Sequence, residues 1–210
     1  MSKTELYSHK NLENTALFAR LAPHQYEAFN EFALNCFKAG VLSTEEKELI
    51  AVCCAHTLKC AYCIDYHVRL AQKAGASDKQ LSEAAWLGAS SAALNTFSDL
   101  ETTSQWLVQQ TDSSITDNHT THKNKYSSYE IFLRKCREHA SEQKLAMLSI
   151  NAGLMTLGAH RSLINSILTE AKNINCSNDS IVESCFIAVE MAAGACFGHS
   201  GQTASILEEN

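Results

Sequence analysis

Residues 43–76, STEEKELIAVCCAHTLKCAYCIDYHVRLAQKAGA, decide how the chain is read. The stretch has no proline and a single glycine, Gly75. It opens on Ser43 with Glu46 three residues later, the capping-box pattern that starts a helix. An apolar run, Leu-Ile-Ala-Val-Cys-Cys-Ala, follows from Leu49. The pattern predicts a helix through Leu58, a brief turn at Leu58-Lys59, and a second helix from Cys60 to Ala74 stopped at Gly75. Across this pair of helices runs the pattern Glu-x11-Cys-x2-Cys-x3-His, formed by Glu48, Cys60, Cys63 and His67.

Those residue types at that spacing point to thiol redox chemistry. A thiol reacts as its thiolate, and Cys60 falls at or near the first turn of the second helix. The free N–H groups and positive dipole end there favour an anionic sulfur. Residues three apart on a helix are neighbours, with Cβ atoms roughly 5–6 Å apart, so Cys60 and Cys63 share a face. His67 follows Cys63 by four and can take or relay its proton. The first helix folds back at Leu58-Lys59. At ~1.5 Å per residue, Glu48 and His67 then come to a similar height, so Glu48 can orient the imidazole directly or through water. A carboxylate entering so apolar a helix needs a partner.

Plainer readings of the neighbouring residues compete with this one. Glu45 and Glu46 are first-turn and capping residues. Asp65 and Arg69 read as a surface ion pair, and Tyr62 and Tyr66 as aromatic packing or as walls of the site. His56, four before Cys60, would complete a Cys2His2 zinc set with Cys60, Cys63 and His67. Structural zinc ligands usually come as well-separated pairs on loops, which disfavours that set. No metal and no cofactor is expected.

The whole chain has 210 residues, net charge −6 and mean hydropathy −0.16. No lysine or arginine cluster occurs, so a nucleic acid or an anionic membrane is not an expected partner. One proline, Pro23, and eight glycines leave few turns and favour long helices. No export signal opens the chain and no apolar run of membrane-spanning length stands out, so the expectation is a cytoplasmic protein. The nine cysteines include Cys36, Cys53, Cys54, Cys136, Cys185 and Cys196 in apolar helical runs, where they read as small buried hydrophobes. Cys176 lies in a polar turn. His119 and His122 read as solvated.

Helical patterns are expected at residues 11–21, 24–38 and 78–95, with a polar helix or coil over 98–110. Residues 111–125 form a polar linker. Further helices follow at 129–138, 141–157, 159–172 and from the Ser177-Asn178-Asp179 cap to about Phe197. Shifted by one hundred positions, the first set meets the second: Phe32 meets Phe132, Cys36 meets Cys136, Ile50 meets Ile150, Glu83 meets Glu183 and Phe97 meets Phe197. The fold expected is therefore all-α and tandem, with one unit over 1–110, the linker over 111–125 and a second unit over 126–210. The second unit lacks the chemistry: His160, Leu163, Ile167 and Leu148 stand where Cys60, Cys63, His67 and Glu48 stand in the first.

At Glu48, Cys60, Cys63 and His67 the sequence resembles the alkylhydroperoxidase D family within the carboxymuconolactone decarboxylase superfamily. The strong likeness covers residues 40–97. It implies an all-α fold and a thiol-dependent peroxidase. Cys63 would attack a hydroperoxide, Cys60 would resolve the sulfenate as a Cys60–Cys63 disulfide, and His67 with Glu48 would form the proton relay. An external thiol or protein would then reduce the pair. The resemblance also implies homo-oligomers, trimers or hexamers, so that three tandem chains would make a ring. Two departures stand out. Tyr62 replaces a histidine that family peroxidases can carry between the cysteines, and residues 94–99 lack a histidine that the second half has at His199. The other readings are a dithiol–disulfide oxidoreductase serving a partner protein, and a redox- or metal-sensing oligomer without turnover.

Overall fold

The computed structural model of the chain describes residues 15–110 and 122–208. Among the described residues all regular structure is α-helical and no strand is present, as the sequence predicts. In order the helices are α1 (Ala16–Leu21), α2 (Pro23–Phe37), α3 (Thr44–Thr57), α4 (Ala61–Ala74), α5 (Asp78–Gln110), α6 (Lys123–Glu138), α7 (Gln143–Thr156), α8 (Arg161–Asn173) and α9 (Asn178–Glu208). The start of the expected 11–21 helix and most of the 111–125 linker lie outside the described residues. The linker's last residues are helical, because α6 begins at Lys123.

Helices α3 and α7 form the centre. From Lys47 to Ala55, and from Ala146 to Leu154, every residue is buried. A helix that is covered on all sides needs no single apolar stripe, which is why both segments read as continuous apolar runs rather than as an amphipathic period. The two helices meet directly, with the Cys53 thiol donating to the Ser149 carbonyl at 3.3 Å. One apolar core takes in Ile50, Cys53 and Cys54 from the first half and Ile150, Leu154, Ile187 and Met191 from the second. Glycine admits α5 to this centre. A Cβ at Gly88 would lie 2.7 Å from the Cys53 carbonyl oxygen, closer than any side chain tolerates.

The predicted capping box is present. Ser43 Oγ accepts from the Glu46 amide at 3.2 Å, and Glu46 Oε2 accepts from the Ser43 amide at 2.7 Å. Helices α5 and α9 run farther than the sequence pattern suggested, 33 and 31 residues respectively. Nothing between residues 95 and 110 breaks a helix, and its threonines remain within it. Thr96, Thr102 and Thr103 each donate to the carbonyl four residues back.

Matching backbone features recur along the chain. The Cys60 amide donates to Ala55 O at 3.1 Å, and the Ala159 amide to Leu154 O at 3.1 Å. The Ala76 and Cys176 amides close their turns onto Ala71 O and Ala171 O, both at 2.9 Å. Left-handed residues occur at Lys59 and Gly75, and again at Gly158 and Asn175. The α3 and α7 starts, Thr44 and Gln143, differ by 99 positions, while those of α4 and α8, Ala61 and Arg161, differ by 100. The turn between α7 and α8 is one residue longer than the turn between α3 and α4. Counted from the starts of their helices, Glu48 in α3 shares its position with Met147 in α7, and Ile50 with Ser149.

Two glutamates tie the halves reciprocally. Glu83 in α5 accepts from the Ser141 amide and hydroxyl, both at 2.9 Å, ahead of α7. Glu183 in α9 accepts from the Val41 and Leu42 amides at 2.9 and 3.1 Å, ahead of α3, and pairs with the buried Lys47 ammonium at 3.0 Å. In this α9 differs from the expectation that no segment is apolar enough to span a membrane. Its stretch Asn178–Ala204 is long and apolar enough to cross a membrane by length and composition, and part of it is buried inside the fold. Alanine, cysteine and valine raise its hydropathy, while Glu183 and Glu190 face the first half of the chain.

Candidate active site

Helix α4 begins on Cys60, which is its N-cap in extended conformation. The Cys60 sulfur accepts from the Cys63 amide at 3.2 Å, the place a serine or aspartate oxygen fills at most helix starts. Cys63 therefore lies in the first turn, where free amides and the helix dipole stabilise an anion. The structure joins Cys60 and Cys63 as a disulfide, with Cα atoms 5.3 Å apart. Both residues are buried, Cys60 at 1 % and Cys63 at 7 % exposure.

One turn beyond Cys63, His67 meets Glu48 across the α3–α4 hairpin. The Nδ1–Oε2 distance is 2.8 Å, and both side chains are buried. The hairpin arises as the sequence predicts. The first helix ends at Leu58, Lys59 turns in left-handed conformation at φ 57°, and the second helix runs back antiparallel. Buried and hydrogen-bonded to a carboxylate, the imidazole is held in orientation through Nδ1. Phe37 stacks on the ring at 5.2 Å, and Tyr66 meets it edge-on at 5.1 Å.

The second half of the chain completes the walls. Tyr62, between the two cysteines, is buried with its ring edge-on to His199 of α9 at 5.2 Å. A Cβ at Gly198 would contact the Tyr62 Cβ at 3.5 Å, so α9 lies directly over the first turn of α4. Nearer the middle of α9, Glu190 is buried close enough to His67 and Glu48 for their charges to act on it. Burial pushes its carboxyl above the ordinary 4.5; the His67 charge opposes the shift and the Glu48 charge adds to it. Sequence reading missed Glu190. The signal was available: it stands inside the apolar run Cys-Phe-Ile-Ala-Val-Glu-Met-Ala-Ala, as Glu48 stands at the head of its own.

The other sequence candidates are placed elsewhere. His56 directs Nδ1 to the Val52 carbonyl at 2.9 Å, and among the described residues no group of three or more His, Cys, Asp or Glu side chains is disposed to hold a metal ion. Arg69 holds Asp65 through two nitrogens at 3.0 and 2.8 Å, the surface pair expected. Cys36, Cys53 and Cys54 are buried free thiols, as predicted. Burial pushes Cys53 up to about 12, so it is inert as a nucleophile. Cys136 and Cys185 are only half-buried and Cys196 is exposed, contrary to expectation, while Cys176 is buried. The apolar run of α9 has an outer face, which also leaves Val182, Phe186 and Val189 half-exposed, and Cys196 lies on the outside with them.

Comparison with known proteins agrees with this geometry. Residues 23–100 match the model of the carboxymuconolactone decarboxylase family, a stretch running from the start of α2 into α5. A protein of Paracoccus denitrificans described as "Uncharacterized protein 4 in cox locus" is 40 % identical over 63 residues. That alignment covers 30 % of this chain and 57 % of the relative, so the chain spans little more than half of the curated protein it matches. No solved structure matches the chain. Glu48, Cys60, Cys63 and His67, which carry the resemblance, all fall inside residues 23–100, the stretch that matches the carboxymuconolactone decarboxylase family model.

Proposed function

We propose that the chain is a thiol-dependent peroxidase of the alkylhydroperoxidase D type. The observation that carries this reading is the buried Glu48–His67 hydrogen bond of 2.8 Å, one helical turn from a cysteine pair at a helix N-terminus. The Cys63 proton passes to His67, held by Glu48, and the helix start stabilises the thiolate. The thiolate attacks the outer peroxide oxygen and the O–O bond breaks. Cys63 becomes a sulfenic acid, and the alkoxide leaves as alcohol with the proton from His67. Cys60 then attacks the Cys63 sulfur, forming the disulfide and releasing water. An external dithiol returns two electrons and two protons. The position of Cys63 in the first turn of α4, one helical turn before His67, supports its role as the attacking sulfur.

The same reading takes the chain as two copies of one helical unit, 1–110 and 126–210, with 111–125 between them. Recurring backbone bonds and reciprocal Glu83 and Glu183 contacts support it. The second copy has given up the thiols and serves as cover. Three chains assembling as a ring would bury the half-exposed Val182, Phe186 and Val189 stripe of α9.

Hydroperoxide consumption with a dithiol reductant tests the activity. The wild-type protein turns over and Cys63→Ser does not. Turnover with a protein disulfide in the absence of any reaction with hydroperoxide would assign the site to dithiol–disulfide exchange instead.

A further inference from the structure

Glu48 and Glu190 are the carboxylates buried among the described residues. The relay uses Glu48 and leaves Glu190 without a role. Glu190 is 5 % exposed, and its Oε2 has no hydrogen-bond partner. An ionised carboxylate left so is costly, whereas a protonated one is far less so. Its surroundings are those of the redox site. α9 packs on α2, α3 and α4. The ionisable groups coupled to Glu190 come from all three: Cys36 from α2, Glu48 and Cys54 from α3, and Tyr66 and His67 from α4. α7, which also packs on α9, contributes none to that set. Gly194, one turn on, keeps the space beside the carboxyl open, since a Cβ there would lie 3.1 Å from Oε1.

We propose that Glu190 is a second proton store for the Cys60–Cys63 couple, coupled to it through His67. It takes up a proton from solvent when the disulfide is reduced and returns it to solvent when the disulfide re-forms. Two thiols and one hydroperoxide give a disulfide, an alcohol and water. Two electrons pass to the O–O bond, and the two thiol protons leave on the two oxygens. The Glu48–His67 pair holds the Cys63 proton until the alkoxide leaves. His67, emptied by that step, takes the Cys60 proton and passes it to the hydroxide that leaves the sulfenic sulfur. A reduced site that carries a thiolate disfavours a second negative charge, which keeps Glu190 protonated; the disulfide removes that charge and eases release. Glu190 is a positioning residue in this scheme, acting on the sulfurs through the imidazole.

This inference rests on the redox pairing of Cys60 with Cys63 and not on peroxide as the oxidant, so its test uses neither peroxide nor turnover. The full chain is equilibrated in dithiothreitol redox buffers over a pH series. The thiol-to-disulfide ratio of Cys60 and Cys63 is read by alkylation and mass spectrometry. The wild type is compared with Glu190→Gln, which keeps the shape but cannot titrate, and with Glu190→Met, which removes the unpartnered oxygen and serves where glutamine is not accommodated. The expected result is an extra inflection in the wild-type pH–potential curve, above the ordinary carboxylate range, that both variants lack. Superimposed wild-type and variant curves would overturn the proposal. An inflection without any hydroperoxide turnover would sink the peroxidase reading and leave the proton store standing.

Discussion

At the scale of single residues, the account turns on two carboxylates with opposite behaviour. The amides of Val41 and Leu42 and the Lys47 ammonium hold Glu183 below 4.5 despite the opposing push of burial. Its contribution to stability is present above the ordinary carboxylate value and is lost as pH falls through the lowered one. Glu190 has the reverse sign. Its raised value means that its share is full below about 4.5 and is lost as pH rises through the folded value. Glu190→Gln is therefore expected to melt higher than the wild type near pH 8 and to close that gap near pH 4, read as Tm across a pH series. Glu183→Ala leaves Lys47 with only the Cys36 and Lys38 carbonyls, at 3.1 and 2.6 Å. That loss should cost about 2 kcal/mol at neutral pH by chemical denaturation. Cys60→Ser separates the two chemical steps. Given hydroperoxide, it should accumulate a Cys63 sulfenic acid that dimedone traps, whereas Cys63→Ser should trap none.

At the scale of elements, the pair α3–α4 was legible because its signals are local. Ser43 with Glu46 marks the start, Gly75 the stop, and a run without proline spans the space between. Glu48 was legible for a physical reason, since charge inside an apolar helix requires a partner. The ends of α5 and α9 were not legible, because a polar helix tail without a breaker looks like coil when only hydrophobic periodicity is read. The contribution of α9 to the site was hidden for another reason. Glu190, Gly198 and His199 reach α4 through packing between segments more than 120 residues apart, and no local pattern encodes that. Close approach of α5 to α3 gives a direct check on the packing. Gly88→Ala forces a methyl against the Cys53 carbonyl and should cost about 1–3 kcal/mol, read as a drop in Tm with the disulfide intact.

At the scale of the molecule, the central α3–α7 contact makes the two halves one cooperative body. Ile50 and Cys53 share a core with Ile150 and Ile187, and Glu83 and Glu183 each cap a loop of the opposite half. A fragment ending at residue 110 would expose the α3 surface that α7 covers. As a monomer it should show no cooperative thermal transition by circular dichroism, whereas the full chain melts in one. A cooperative, monomeric fragment would show that each half folds by itself. The site follows the same logic: thiols, histidine and Glu48 come from the first half, and the cover and the second carboxylate come from α9.

The most direct measurement is a titration of free thiols in the reduced protein before and after one equivalent of an organic hydroperoxide, followed by peptide mapping of the new linkage. The account predicts the loss of two thiols per chain and a single new Cys60–Cys63 disulfide, formed in the wild type and absent in Cys63→Ser. Thiols that remain free, or a disulfide that joins either cysteine to Cys36, Cys54 or Cys196, would contradict it.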